Sequence, residues 1–322
     1  ILITTKRGEG FSDTPKTQIE YSGYVSTAWV NAETGMATPE EFINLEKTTD
    51  GKVIPTLYYQ HTKFDDKGVP TDSVLNRTNW MKELTRTAAI THNHNLAITG
   101  SHKNFNYRAS VAFKNAEGIA KNNNRQEVMA KIAAQQKALN GWLDLQYDMS
   151  YMHYRNDYFC GDFKMAATLN PTYPIYNIDG TYFKPTGTGL SNPVENMNQK
   201  ESYQDGNYFR GSVKATVNVK PVKGMLRING FAAIEEGDNR SYWYNSTINT
   251  DLTGSGTASR GTDMSFSKLF ELTADYMRTY GSHSITTVAG LSYQNFLYDG
   301  KNIENKGFPT DDAKYYQIGN GD

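Results

Sequence analysis

Between Arg125 and Tyr154 the chain alternates apolar and polar residues for longer than a soluble sheet needs. Leu143, Leu145, Tyr147, Met149 and Tyr151 are apolar; Asp144, Gln146, Asp148 and Ser150 between them are polar. A strand sends successive side chains to opposite faces, so this run has one oily face and one hydrated face. Upstream, Val128, Ala130, Ile132 and Ala134 alternate with Met129, Lys131, Ala133 and Gln135. Asn140-Gly141 stands between the two runs. Asn-Gly accepts the positive φ angles of a two-residue type I′ turn, so a hairpin is expected here. Strands in soluble domains centre on about 5–6 residues, whereas a strand crossing a bilayer at a tilt needs about 9–11.

The pattern recurs along the chain. Gln18 to Val30 carries Ile19, Tyr21, Gly23, Val25, Thr27 and Trp29 on one face. His94–Gly100 pairs with Phe105–Lys114, Phe209–Lys220 with a return strand marked by Leu226 to Ile234, and Phe266–Arg278 with Ser284–Tyr298. Nine strands are expected in all. Every second connection is a turn of a few residues, while the others include long excursions near 31–90, 155–206 and 237–264, with one short exception at 118–124. Short turns at one end and long loops at the other describe an outer-membrane barrel. The dimensions agree: Phe105 and Phe113 share a face, and eight residues at ~3.3 Å span about 26 Å. Tilted by about 40°, that is roughly 20 Å, close to the ~25 Å lipid-facing band with its aromatic girdles.

Composition removes other classes. The 322 residues carry a net charge of −1, which gives nucleic acid no electrostatic reason to bind. No apolar run approaches the ~18 residues of a membrane-spanning helix. The mean hydropathy of −0.65 leaves a barrel open, since only alternate residues meet lipid. Cys160 is the only cysteine, so an intrachain disulfide and a multi-cysteine zinc site are both excluded. His92 and His94 share a face but lack a third ligand, and read as rim histidines rather than a metal site. Phosphate-loop, nucleophile-elbow and zinc-protease motifs are absent, so neither cofactor nor catalysis is expected. Thr38-Pro39-Glu40-Glu41 is a capping box ahead of a short helix, and a second short helix starts at Asn79 with Trp80, Met81 and Leu84. The chain opens in a β-like run and closes in turn-forming residues. An unpaired sheet edge is not tolerated in lipid, so further strands are expected after Asp322.

Several motifs, in order, resemble one family. Ile1-Leu2-Ile3-Thr4-Thr5-Lys6-Arg7-Gly8 is similar to the last plug strand of SusC/RagA-type TonB-dependent outer-membrane transporters. Asn79-Trp80, Glu83 and Arg86-Thr87-Ala88 follow, then His94-Asn95-Leu96-Ala97-Ile98-Thr99-Gly100, Asn106-Tyr107-Arg108 and Glu117-Gly118-Ile119. Asn170-Pro171-Thr172-Tyr173-Pro174-Ile175-Tyr176-Asn177 and Asp179-Gly180-Thr181-Tyr182 complete the set. The resemblance implies an all-β transmembrane antiparallel barrel of 22 strands, of which about nine lie here, preceded by a plug domain. Residues 1–16 would be the end of the plug and its linker, and 17–322 the first part of the barrel. It also implies an outer-membrane location, uptake of large glycan or peptide nutrients, energy from the TonB complex through an N-terminal region, and a SusD-like surface lipoprotein as lid.

The residues point partly the same way. Asp144, Asp148, Arg210, Lys214, Glu271 and Asp275 cannot face lipid cheaply and are expected to line a lumen. The second excursion is rich in aromatic and amide residues, which suit sugar rings or peptide backbones. Tyr173, Tyr176, Tyr182 and Phe183, with Asp144 and Arg210, are therefore the candidate substrate contacts; the four aromatics could equally pack the loop itself or the lid protein. Two alternatives stay open: a passive outer-membrane porin, and a secreted glycan-binding β-sandwich. The sandwich would place the odd side of Leu143–Tyr151 against a second sheet.

Overall fold

The computed structural model describes residues 10–30, 36–50, 57–187, 189–220, 223–250 and 256–321. In chain order its elements are β1 (Lys16–Ala28), α1 (Pro39–Asp50), β2 (Tyr59–Gln60), β3 (Val74–Leu75), α2 (Trp80–Leu84), β4 (Ala89–His102), β5 (Phe105–Glu117) and β6 (Asn124–Ala138). They continue with β7 (Leu143–Asp157), α3 (Phe163–Thr168), α4 (Pro193–Gln199), β8 (Lys200–Val219), β9 (Met225–Asn245), β10 (Gly256–Tyr280) and β11 (His283–Phe308). Nine of these strands form one sheet in the order β1-β4-β5-β6-β7-β8-β9-β10-β11, each pairing with its neighbour in the chain. This is the up-and-down meander expected from the alternating runs. The plug-like run Ile1–Gly8 lies outside the described residues.

Two local readings need correction. The β6–β7 connection is not a two-residue turn. Ala138 pairs with Leu143, and Leu139, Asn140 and Gly141 take φ of 51°, 52° and 81° in a four-residue loop. Asn140-Gly141 supplies the left-handed residues, but Leu139 joins them. The third excursion is mostly strand: β9 continues to Asn245 and β10 begins at Gly256, so the connection proper is 246–255. Polar residues on both faces there (Asp238, Asn239, Arg240 and Asp263) hide the period-two contrast that marks a strand in lipid.

Register assigns the faces. Directly opposed residues share a face, so one row runs Ile19, Ile98, Ala109, Ile132, Met149, Gly211 and Ile234 across seven strands. The next row on that face runs Tyr21, Leu96, Val111, Ala130, Tyr151 and Phe209. These side chains have no second layer over them: Val111 is 55% exposed, Ile132 54%, Met149 51% and Tyr151 46%. An apolar face this broad far exceeds the few hundred Å² that a soluble monomer leaves bare. The other face carries Glu20, Ser110, Lys131, Ser150, Arg210 and Glu235 in one row. A single hollow spans that face from Arg108 on β5 to Phe296 on β11, so the polar side is concave and the apolar side convex. The sandwich alternative is excluded by this geometry.

Buried apolar residues gather instead at the end where the long connections lie. Trp80 and Leu84 of α2, Ala166 and Leu169, Tyr173, and Val194 and Met197 of α4 form one cluster. Residues 57–88 and 158–199 thus share a small core of their own. The expected helices are present. Thr38 and Glu41 exchange capping-box bonds of 2.8 and 3.2 Å, and the Asn79 side chain caps α2 by accepting from Lys82 N at 3.0 Å.

Candidate functional site

The concave wall is built from the even side of β7 and β8 and the odd side of β9 and β10. Arg210 Nη2 donates to Glu235 Oε1 at 2.7 Å across the β8–β9 pair. Arg108 Nη1 donates to Glu20 Oε2 at 3.0 Å and to Thr99 Oγ1 at 3.1 Å. Nearer the short turns, Gln135 Nε2 donates to both carboxylate oxygens of Asp144 at 3.1 and 2.9 Å. Asn229 bridges Thr273 and Asp275 at 3.2 and 2.8 Å and accepts from Thr216 Oγ1 at 2.9 Å. Two ion pairs and several amide–carboxylate bonds thus cross the strands, giving a wall of donors and acceptors with charges of both signs. Phe231, Leu269 and Phe296 add an apolar stretch to the same hollow.

Asp144 and Arg210, both expected on the lumen face, do share it but do not meet. Arg210 opposes Ser150, six residues from Asp144 along β7, or about 20 Å of strand. The four loop aromatics divide into two pairs. Tyr173 is buried, and its ring lies 4.7 Å from Tyr58 and 5.2 Å from Phe183. Tyr173 and Phe183 belong to the loop core. Tyr176 and Tyr182 face each other at 5.0 Å with their rings tilted, across an isolated bridge; Tyr182 packs on the edge of the loop core, and Tyr176 is exposed.

Buried polar groups hold this loop body on the sheet. Asn192 is wholly buried: its Nδ2 donates to Ile175 O and Phe183 O at 2.9 and 3.1 Å, and its Oδ1 caps α4 through Val194 N and Glu195 N. Buried Glu195 accepts from Thr250 N at 2.9 Å and Thr250 Oγ1 at 2.5 Å, tying in the β9–β10 connection. Arg86 Nη1 donates to Gly118 O at 2.6 Å, Asn123 O at 3.0 Å and also Ala120 O, fixing the β5–β6 connection.

A further anchor has no counterpart in the sequence reading. After β11 the chain folds back across the tops of β10, β9 and β8. Asp311 accepts from Tyr244 Oη at 2.5 Å, Ser246 Oγ at 2.5 Å and Thr247 N at 2.8 Å. Tyr315 is buried against Tyr203 and Tyr242, with centroids at 5.6 and 5.3 Å. Burial pushes the Asp311 carboxyl up, but the Ser246, Thr247 and Tyr244 donors outweigh it and hold it below the usual aspartate range. These partners lie more than 60 residues apart, and no local motif announces them.

His92 and His94 sit on the convex face, 5.4 Å apart, with Phe113 beside His92 and the Tyr21 hydroxyl 2.6 Å from His94 Nδ1. That is a polar edge to the apolar band, as expected of rim residues. Among the described residues no group of three or more metal-binding side chains occurs.

No family model matches the chain. TonB-dependent receptor P26 of Formosa agariphila is 26% identical across the whole chain, which spans 32% of that receptor. TonB-dependent receptor SusC of Bacteroides thetaiotaomicron is 26% identical over 203 residues, 60% of this chain and 18% of that receptor. Among solved structures, the RagAB peptide importer in its closed-closed state matches 99% of this chain and 38% of its own chain, at a TM-score of 0.72 and 18% identity. The open-open state gives the same TM-score. The relatives are named as receptors and an importer, and none as an enzyme. The chain spans about a third of the first of these relatives. By residue pattern, fold and relatives alike, the chain is similar along its whole length to about a third of a SusC/RagA-type TonB-dependent outer-membrane β-barrel protein.

Proposed function

We propose that the chain forms part of the wall and the outer vestibule of an energised importer of oligomeric nutrients, glycan or peptide. The observation that carries this reading is the single curved sheet, apolar on its convex side and lined by paired charges and amides on its concave side. Such a wall offers hydrogen bonds to hydroxyls or peptide groups without the one-sign field of an ion filter. The loop body is the natural seat for a SusD-like lipoprotein, with exposed Tyr176 available to lid or substrate. Arg210 and Asp144 contact cargo at successive depths of the lumen. Residues 1–16 join the wall to a plug, and TonB acts through a region N-terminal to it. The loops near 31–90, 155–206 and 237–264, with the strand tops they contain, face the cell exterior.

The test uses the full-length protein in cells lacking other importers of its class. Uptake of labelled oligosaccharide and oligopeptide pools is followed before and after collapse of the proton-motive force. An importer loses uptake of one pool on collapse; a passive porin keeps it, and that result refutes the proposal.

A further inference from the structure

Besides the lumen hollow, the molecule holds a polar pocket at the tops of β6, β7 and β8, lined among others by Asn122, Arg155, Asn198, Lys200, Tyr203 and Tyr315. The role proposed for the lumen leaves it unexplained, because its main walls lie on the other face. Arg155 and Tyr203 occupy odd positions of β7 and β8, as do Met149, Tyr151 and Phe209 of the convex side. Tyr315 covers Tyr203 from that same side. The pocket therefore opens outward from the barrel.

Its height follows from strand geometry. Asp157, at the pocket, lies six residues beyond Tyr151, the last aromatic of the apolar band on β7. Six residues at ~3.3 Å, tilted by about 40°, place it about 15 Å above that band. The polar layer of a bilayer is only about 5–8 Å deep on each side. The pocket thus stands just beyond the phosphate level of the outer leaflet, where the sugars of a glycolipid project.

The chemistry fits that neighbour. The Arg155 guanidinium is laid over the Tyr203 ring at 4.2 Å and steadied by Asp157 Oδ1 at 2.9 Å through Nε. About half of its side chain remains exposed. Lys200 supplies a second cation, Asn122 and Asn198 supply amides, and Tyr203 and Tyr315 supply aromatic surface. Guanidinium with amides and tyrosines is a set that recognises phosphate and sugar hydroxyls together. The pocket is also held in shape beforehand: Asn122 Nδ2 donates to Met197 O at 3.2 Å, and Lys314 pairs with Glu201.

We propose that this outward pocket seats the phosphorylated sugar of an outer-leaflet glycolipid, orienting the barrel against its own membrane. The proposal rests on the outer-membrane placement and not on any transport activity. To test it, the full-length protein in mild detergent is titrated by native mass spectrometry with three probes: lipopolysaccharide bearing a phosphorylated core, the lipid A left after mild acid removes that core, and the free core oligosaccharide. The intact glycolipid is expected to bind about tenfold more tightly than lipid A, the worth of one charge-assisted contact. The Arg155→Gln/Lys200→Gln double variant should erase that difference, and Asn198→Ala, outside the sheet, should reduce it without touching a strand. Equal binding of lipid A and intact glycolipid would overturn the proposal. So would a double variant that keeps the preference, or a free core oligosaccharide that binds as tightly as the intact lipid.

Discussion

Ile132 and Ala133 are neighbours on β6, and the fold puts them in different solvents. Ile132 stands on the convex face in the row of Ile98, Ala109 and Met149, and is 54% exposed with no protein over it. Ala133 faces the concave side, directly across from Asp148 on β7. A lysine at 132 would enter the lipid band one row above its mid-height at Ala134 and Tyr147, where a cation costs up to about 2–4 kcal/mol. At 1.4 kcal/mol per factor of ten, that is a loss of about 30-fold to several hundred-fold in the folding equilibrium. A lysine at 133 would meet Asp148 across one ladder and Arg108 across the other, so two cross-strand terms of about 0.2–1 kcal/mol and opposite sign largely offset. The assay is reversible denaturant unfolding of the full-length protein from lipid vesicles, followed by tryptophan fluorescence. Ile132→Lys should lower stability by the stated amount, and Ala133→Lys should leave it within about 1 kcal/mol of the parent. Equal costs at both positions, or the larger cost at 133, would refute the face assignment.

Other outcomes follow from named contacts. Asp311→Asn weakens three accepted bonds and should release 309–321 to hydrogen exchange, at a local cost of about 1–3 kcal/mol. Because the folded Asp311 carboxyl is depressed, its anchoring is complete above the ordinary aspartate pKa of about 3.9 and is lost as pH falls through the lower folded value. The parent segment should therefore loosen only in acid, while the variant is loose already at neutral pH. Trp80→Ala removes a side chain only 1% exposed that donates to Asn170 O at 3.3 Å. The cost of about 3–5 kcal/mol should fall on the loop body, so proteolysis opens 57–88 and 158–199 while the sheet keeps its stability. Gly206→Ala would place a methyl 2.9 Å from Asp238 O and 2.8 Å from the Tyr154 ring, so a stability loss of about 1–3 kcal/mol is expected in the same unfolding assay.

The ribbon was legible because its signal is local. Each of Leu143, Leu145, Tyr147, Met149 and Tyr151 is marked by its own neighbours, and period two needs no knowledge of the partner strand. The nine strands and their chain-order pairing follow from that signal plus the parity of short turns. The strand tops are not legible, since at Asp238, Asn239 and Arg240 both faces of β9 are polar and the contrast is lost, while the cover over Tyr242 and Tyr244 comes from the distant segment after β11. Leu139 hid the true length of the β6–β7 turn, because a left-handed leucine leaves no mark in composition. In the site, Asp144 and Arg210 could be placed on the lumen face by alternation alone. The roles of Tyr173 and Phe183 could not, because their partner Tyr58 is more than 100 residues from either. The same distance problem conceals Asp311 and its three donors, which only the folded chain brings together.

The central claim is that one face of a long ribbon meets hydrocarbon and the other meets water. Single spin labels at each position from Leu143 to Tyr151, in the full-length protein in vesicles, read this directly through collision with oxygen and with a water-soluble relaxant. A two-residue alternation is expected: oxygen access highest at Tyr147 among the odd positions, and the aqueous relaxant reaching Asp144, Gln146, Asp148 and Ser150. Accessibility that varies smoothly along the run, or protection of the odd positions from both reagents, would contradict it.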